Sequence, residues 1–348
     1  MEQPACGAMH PRAGVPIHYS THGTNRHERV GGNRVASYIL RRLIATIPVM
    51  LLVATGVFLL LKLTPGDPAG ILLGPDASEE RRLELREELG LNDSIIEQYV
   101  TWLGNAVKGD LGDSIFLNQS VTSSLVERAE PTLMLTFFST LVALVVGLPL
   151  GIYAARKRGS WFDAGAMAIA IVGISMPTFW LGLNLILIFA VKLRVLPVAG
   201  YASLSDGLWE SLRYIILPAV TLGVAQAALL ARMTRSMMLE VLSSDYVRTA
   251  RAKGVGEYRV VMAHAFRNAL MPILNVVGLT IAALLGGAVV TEQIFNIPGI
   301  GRLLIQAVGR RDVPLVQGTV LVIATVYVVV NLVVDILAAA LDPRIRRG

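Results

Sequence analysis

The chain has 348 residues, 54% of them hydrophobic and only 16% charged, with a mean hydropathy of +0.60. Soluble domains carry about a quarter charged residues, so a water-soluble enzyme is excluded in favour of a chain built around a bilayer. The net charge of +6 fits the cationic loops of a membrane protein, and no basic stretch adjoins an aromatic-rich soluble module, so no nucleic-acid partner is expected.

Residues 1–36 are polar, with His10, His18, His22 and His27 scattered among Gly, Pro and Arg, and no apolar core that would mark a cleaved signal peptide. A metal site from His18, His22, His27 and Cys6 would need a helix that Pro11, Gly14, Pro16 and Gly23 oppose, so this segment reads as a disordered tail. Cys6 is the only cysteine, which excludes an internal disulfide.

Six apolar segments follow, at about 44–63, 132–155, 164–191, 214–233, 270–295 and 316–341. Each is long enough to cross ~30 Å of hydrocarbon at 1.5 Å per residue. The expected fold is therefore all-α, a polytopic membrane protein of about six spans. The third segment is interrupted by Pro177 and reads either as one kinked span or as two pieces. Pro177, Pro218 and Pro272 are candidate breaks, or static kinks satisfied by neighbours.

Cations cluster in the N-terminal tail, the 156–163 loop, the 234–269 loop and the C-terminal tail, so these share one side. The positive-inside rule makes that side cytoplasmic and puts both termini there. The 64–131 stretch becomes an extracytoplasmic loop domain. Within it, Ser78-Glu79-Glu80-Arg81 starts a helix with a solvated acidic face that Gly90 ends. A second amphipathic stretch puts Ile95, Ile96, Tyr99, Val100 and Leu103 on one side, a pattern that interfacial packing against the bundle explains as well as a binding role does.

Reactive chemistry is sparse. The phosphate-loop pattern, HExxH and GxSxG do not occur, so no catalytic residue is assigned and the chain is not read as an enzyme. Asn331 and Asp335 share a helix face, and the reading preferred to a proton relay is that Asp335 reaches the interface or pairs with an arginine. Lys62 should snorkel, and Glu292, ahead of Ile297-Pro298-Gly299, is expected to face the outer mouth. The 234–269 loop is the most informative. Ser243 or Ser244 can N-cap a helix that Asp245 opens, Lys253 suits its negative end, and Gly254 can close it in the left-handed conformation. Ala250 and Ala252 keep that helix slim. A short cationic helix between two spans is suited to docking in another protein's groove; lying on anionic lipid would need a larger apolar face.

At this loop the chain resembles the inner-membrane permease subunits of peptide-type ATP-binding cassette importers, the dipeptide/oligopeptide permease B group. The matching stretches are Thr64-Pro65-Gly66-Asp67-Pro68, Gly109-Asp110-Leu111-Gly112, and Ser175-Met176-Pro177-Thr178-Phe179-Trp180-Leu181-Gly182. They continue with Ala231-Arg232-Met233-Thr234-Arg235-Ser236-Met237, Asp245-Tyr246-Val247-Arg248-Thr249-Ala250-Arg251-Ala252-Lys253-Gly254, Arg267-Asn268-Ala269-Leu270, Ile294-Phe295 with Pro298-Gly299, and Asp342-Pro343-Arg344-Ile345-Arg346.

The resemblance implies the type I importer permease fold over residues 37–348 and a bacterial inner-membrane location. It also implies partners: a second homologous permease, two cytoplasmic ATP-binding subunits and an extracytoplasmic solute-binding protein. The chain would form half of a translocation pathway for di- or oligopeptides or a related small solute. ATP would be bound by the partner subunits, and this chain would hold no cofactor or metal. By the same resemblance, Asp245, Tyr246, Arg248, Thr249, Ala250, Ala252, Lys253 and Gly254 form the helix that the ATPases move. Arg248-Thr249-Ala250 stands where importers in general carry Glu-Ala-Ala, a departure that favours the peptide branch. The competing reading, an autonomous ion-coupled carrier, would need paired intramembrane charges and an inverted repeat that the sequence does not display.

Overall fold

A computed structural model describes residues 27–341 apart from 64–67, 75–76 and 89. The tail histidines 10, 18 and 22, Cys6, and the 64–67 and 342–346 motifs lie outside the described residues. Among the described residues regular structure is helical, with one isolated bridge between Asp113 and Ser120.

Helix α1 (His27–Leu63) runs unbroken across Pro48, and within it Leu40–Leu59 is long and apolar enough to cross a membrane. Three short helices follow: α2 (Pro68–Leu73), α3 (Glu79–Glu88) and α4 (Ile95–Val107). The Ser78 hydroxyl accepts the Arg81 N–H at 3.3 Å, Gly90 takes a φ of +63°, and no residue of α3 is buried, as its pattern predicts. Ser94 and Glu97 close a reciprocal capping box at the start of α4. The expected packing of α4 holds for Tyr99, which meets the Phe58 ring edge-on, but Ile95, Ile96 and Val100 remain exposed.

Helices α5 (Val121–Arg156) and α8 (Leu208–Leu242) form the central pair. Their seam runs along small residues. A Cβ on Gly147 would lie 2.7 Å from the Ala227 carbonyl oxygen, and one on Gly223 would lie 2.8 Å from that of Ser139. Gly147 and Gly151 are four apart, so both fall on one face and let the two backbones touch. In apolar surroundings, where water-driven burial is weak, such close approach is what holds helices together.

The third apolar segment is two pieces. Helix α6 (Trp161–Ser175) and helix α7 (Thr178–Leu185), which continues as a π-helical run over Ile186–Lys192, meet at 100°. Pro177 disfavours helical backbone at Met176, which is extended with ψ 124°. Pro218 does not act as a break: it is buried inside the continuous α8. Pro272 likewise lies within the continuous α11 (Arg267–Ile294). Where a neighbouring helix covers the segment, packing outweighs the missing N–H. Helix α11 is preceded by α9 (Asp245–Ala252), by α10 (Glu257–Arg259) and by a π-helical turn over Val260–Phe266. Helices α12 (Ile300–Arg310) and α13 (Val313–Leu341) are the last among the described residues. Among the described residues, five stretches are thus long and apolar enough to cross a membrane, or six with the bent α6–α7 pair.

Glu292 corrects its expectation. It is fully buried rather than at an outer mouth. Its carboxylate accepts the Thr132 hydroxyl at 2.6 Å and the Arg302 N–H at 2.8 Å, while Thr132 accepts the Ile300 N–H at 2.8 Å. The free N–H groups opening α12, and the positive end of its dipole, draw the acid inward. Asp312, also fully buried, does the same for α13 and takes the Ser114 hydroxyl at 2.6 Å. Asp335 bonds Arg42 of α1 at 3.1 Å, and Asn331 donates to its own helix at Tyr327, so the two do not form a relay.

Candidate functional site

The residues assigned from the 245–254 pattern do fall on one short helix. Helix α8 stops at Leu242, a two-residue turn follows, and α9 begins at Asp245. Ser244 occupies the N-cap position with extended backbone, but its hydroxyl does not cap: it donates to the Val241 carbonyl at 2.5 Å. Ser243 turns back in the same way onto Glu240. The last turn of α8 leaves carbonyls that need donors, and the serines satisfy those instead.

The far end is as the sequence predicts. Gly254 has a φ of +79° and donates to the Arg251 carbonyl at 2.9 Å, while Val255 donates to that of Ala250 at 3.2 Å. This pair of bonds is a Schellman closure, which needs a left-handed residue at the glycine.

One side of α9 is anchored. Val247 is fully buried where α9 meets the end of α8 and the π-helical turn before α11. The Tyr246 hydroxyl donates to the His264 carbonyl at 3.4 Å and accepts from Asn268 at 2.9 Å. Asn268 also bonds the His264 carbonyl at 2.8 Å. The helix is thereby fixed to both neighbouring long helices. In the sequence Asn268 stands within the Arg267-Asn268-Ala269-Leu270 motif with no role of its own, and a lone amide at the head of an apolar helix is its one signal.

The other side is open. Asp245, Arg248, Thr249, Arg251, Ala252, Lys253 and Gly254 are exposed, and Ala250 is half-buried. Arg248 meets Asp245 at 3.5 Å, an exposed pair of the kind worth about 0.5 kcal/mol. Arg251 forms two bonds to Glu257, at 3.1 and 2.9 Å, and the Glu257 carboxylate pushes the Arg251 guanidinium further up from its already high range. The face is cationic and solvated.

Behind it lies an ion pair. Asp163, at the start of α6, takes Nη2 of Arg235 at 2.7 Å and the Gly159 N–H at 3.0 Å, tying α6 to α8 about two turns before α8 ends. Residues 72 positions apart gave no sign of this in the sequence. Among the described residues no cluster of His, Cys, Asp or Glu could hold a metal ion.

Residues 147–347 match the family described as binding-protein-dependent transport system inner membrane component, and residues 35–136 match its N-terminal companion. The chain belongs to this family. It is a transport permease of the membrane. A Brucella abortus protein named as a peptide transport system permease is 47% identical over 312 residues, covering 90% of this chain and 99% of that one. The glutathione transport system permease protein GsiC of Escherichia coli is 43% identical, covering 89% and 99%. In solved structures, the inward-facing methionine ABC transporter gives a TM-score of 0.52 at 23% identity, over 63% of the permease and 96% of that chain. That likeness shows the shared fold of the membrane subunit.

Proposed function

We propose that the permease forms half of an ATP-driven import pathway for di- or oligopeptides, or a related small solute, and that α9 receives the push from cytoplasmic ATP-binding subunits. The observation that carries the reading is the two-sidedness of α9. Val247 and the Tyr246–Asn268 bond fix it to the ends of α8 and α11, while Arg248, Thr249, Arg251 and Lys253 stand exposed on the other side. A force applied there reaches two long helices at once, as a coupling element must.

In this reading the 234–269 segment and both termini are cytoplasmic, the 64–131 segment faces outward, and ATP binds to the partners. A second permease completes the pathway and a solute-binding protein delivers the cargo. The peptide assignment is supported by the relatives named for peptide, dipeptide and glutathione transport.

The test is ATPase activity of the assembled complex with and without peptide-loaded binding protein, wild type against the double variant Gly254→Asp, Arg248→Glu. Loss of stimulation in the variant, with the complex still assembled, is the expected result. Unchanged stimulation would remove α9 from the coupling route, and no association with any ATPase would remove the import reading itself.

A further inference from the structure

Helix α4 presents an apolar shoulder that the bundle leaves uncovered. At 100° per residue its apolar positions occupy one half of the helix and Glu97, Gln98, Thr101, Gly104 and Asn105 the other. Part of the apolar half packs on the end of α1: Tyr99 and Trp102 lie 5.3 and 5.8 Å from the Phe58 ring, and the Tyr99 hydroxyl meets that of Thr55 at 2.8 Å. The rest does not. Ile96, Val100 and Val107 share a single stripe and are 75%, 62% and 82% exposed. Exposure on that scale at three positions of one short helix calls for a covering medium.

We infer that this stripe lies in membrane lipid, so that α4 is an interfacial helix flanking the end of α1. The level at which α4 is held argues for lipid. The apolar run of α1 continues through Leu61, and Lys62 is the first charged residue after it. Thr55 lies six residues inside Leu61, about 9 Å at the helical rise, and Lys62 directly follows it. Both bind α4: Thr55 through Tyr99, and Lys62 through the Gln98 amide oxygen, with its ammonium 5.6 Å over the Phe58 ring. The contact therefore straddles the boundary where hydrocarbon gives way to headgroups, the depth at which interfacial helices bury their apolar face.

The neighbouring membrane-spanning helix α1 also carries exposed apolar residues, Leu52 and Leu59. Tyr99 and Trp102 are the amphipathic ring types enriched at that level. The polar half of α4 carries one acid, Glu97, and no cation within the helix, so apolar burial holds it and anionic headgroups are not required.

The experiment places a nitroxide at single cysteines in a Cys6→Ser background, in the complete complex reconstituted in phosphatidylcholine. Val100→Cys and Val107→Cys report on the stripe, Thr101→Cys and Asn105→Cys on the polar side. These four positions are solvent-exposed, so the labels leave the fold intact. Relaxation is measured with dissolved oxygen, which partitions into lipid, and with a water-soluble nickel chelate.

Labels at 100 and 107 should favour oxygen and those at 101 and 105 nickel, a reversal of the ratio within one helix turn, unchanged by adding the binding protein. Nickel preference at all four sites would overturn the proposal in favour of plain solvent. Exclusion of both reagents from 100 and 107 would overturn it in favour of a protein partner, the binding protein if its omission restores access and the second permease if not. None of these readings depends on transport, so they stand apart from the coupling assignment of α9.

Discussion

Removing either half of the Asp163–Arg235 pair leaves a charge with its partner gone, and the two removals should not cost the same. The carboxylate side chain is 6% exposed and the guanidinium 26%. Breaking a buried pair typically costs about 3–5 kcal/mol, less where the survivor reaches water. Asp163→Asn keeps an acceptor for the Gly159 N–H and leaves the more exposed Arg235 behind, so about 1–2 kcal/mol is expected. Arg235→Met strands the more buried acid with one backbone donor, and about 3 kcal/mol is expected. Both together should cost about 1 kcal/mol less than the sum, as residues in one contact couple. Melting of the purified complex, followed by tryptophan fluorescence at one scan rate, should fall by about 1–3 °C per kcal/mol in a chain of this size. The order Arg235→Met below Asp163→Asn is the decisive feature. Equal shifts, or strict additivity in the double variant, would refute the pairing as a structural tie between α6 and α8.

Other perturbations read other joints. Gly151→Leu should abolish folded protein in a detergent-solubility assay, because even a Cβ there would lie 2.5 Å from the Ala231 carbonyl oxygen and 2.8 Å from Thr234 Cβ. Glu292→Ala should lower the melting temperature more than Glu292→Gln; the alanine strands the Thr132 hydroxyl and the α12 N–H groups, at about 1–3 kcal/mol for each orphaned donor, whereas glutamine keeps an acceptor. Gly254→Ala meets no neighbouring atom, so its cost is confined to the φ of +79°, about 1 kcal/mol, and should appear as faster hydrogen exchange over α9 with unchanged global stability. The Glu97 carboxyl is held below its ordinary range by the Ser94 hydroxyl and then the Ser94 N–H. Its capping contribution is therefore fully present above the ordinary value of 4.5 and disappears as pH falls through the lowered one, which exchange at the α4 N-terminus, corrected for intrinsic rates, should follow and Glu97→Gln should remove.

The spans, the α3 and α9 boundaries and the left-handed Gly254 were legible in the sequence alone. Each is decided within a few residues: helices satisfy their own backbone bonds, and only glycine adopts that closing turn at little cost. The tertiary structure decided what depends on residues far apart in the chain. Pro218 reads like Pro177 in sequence, yet it is buried inside an unbroken helix. Glu292 reads as an acid near a mouth, yet the N-terminus of α12 ten residues on gives it donors and buries it. Ser244 stands at the N-cap of α9 but serves the carbonyls of α8. The site divides in the same way. Which residues sit on α9 follows from local pattern, whereas Asn268 gripping Tyr246 and Asp163 gripping Arg235 exist only because α11 and α6 come to rest beside α8, and small residues along the helix seams set how closely those neighbours approach.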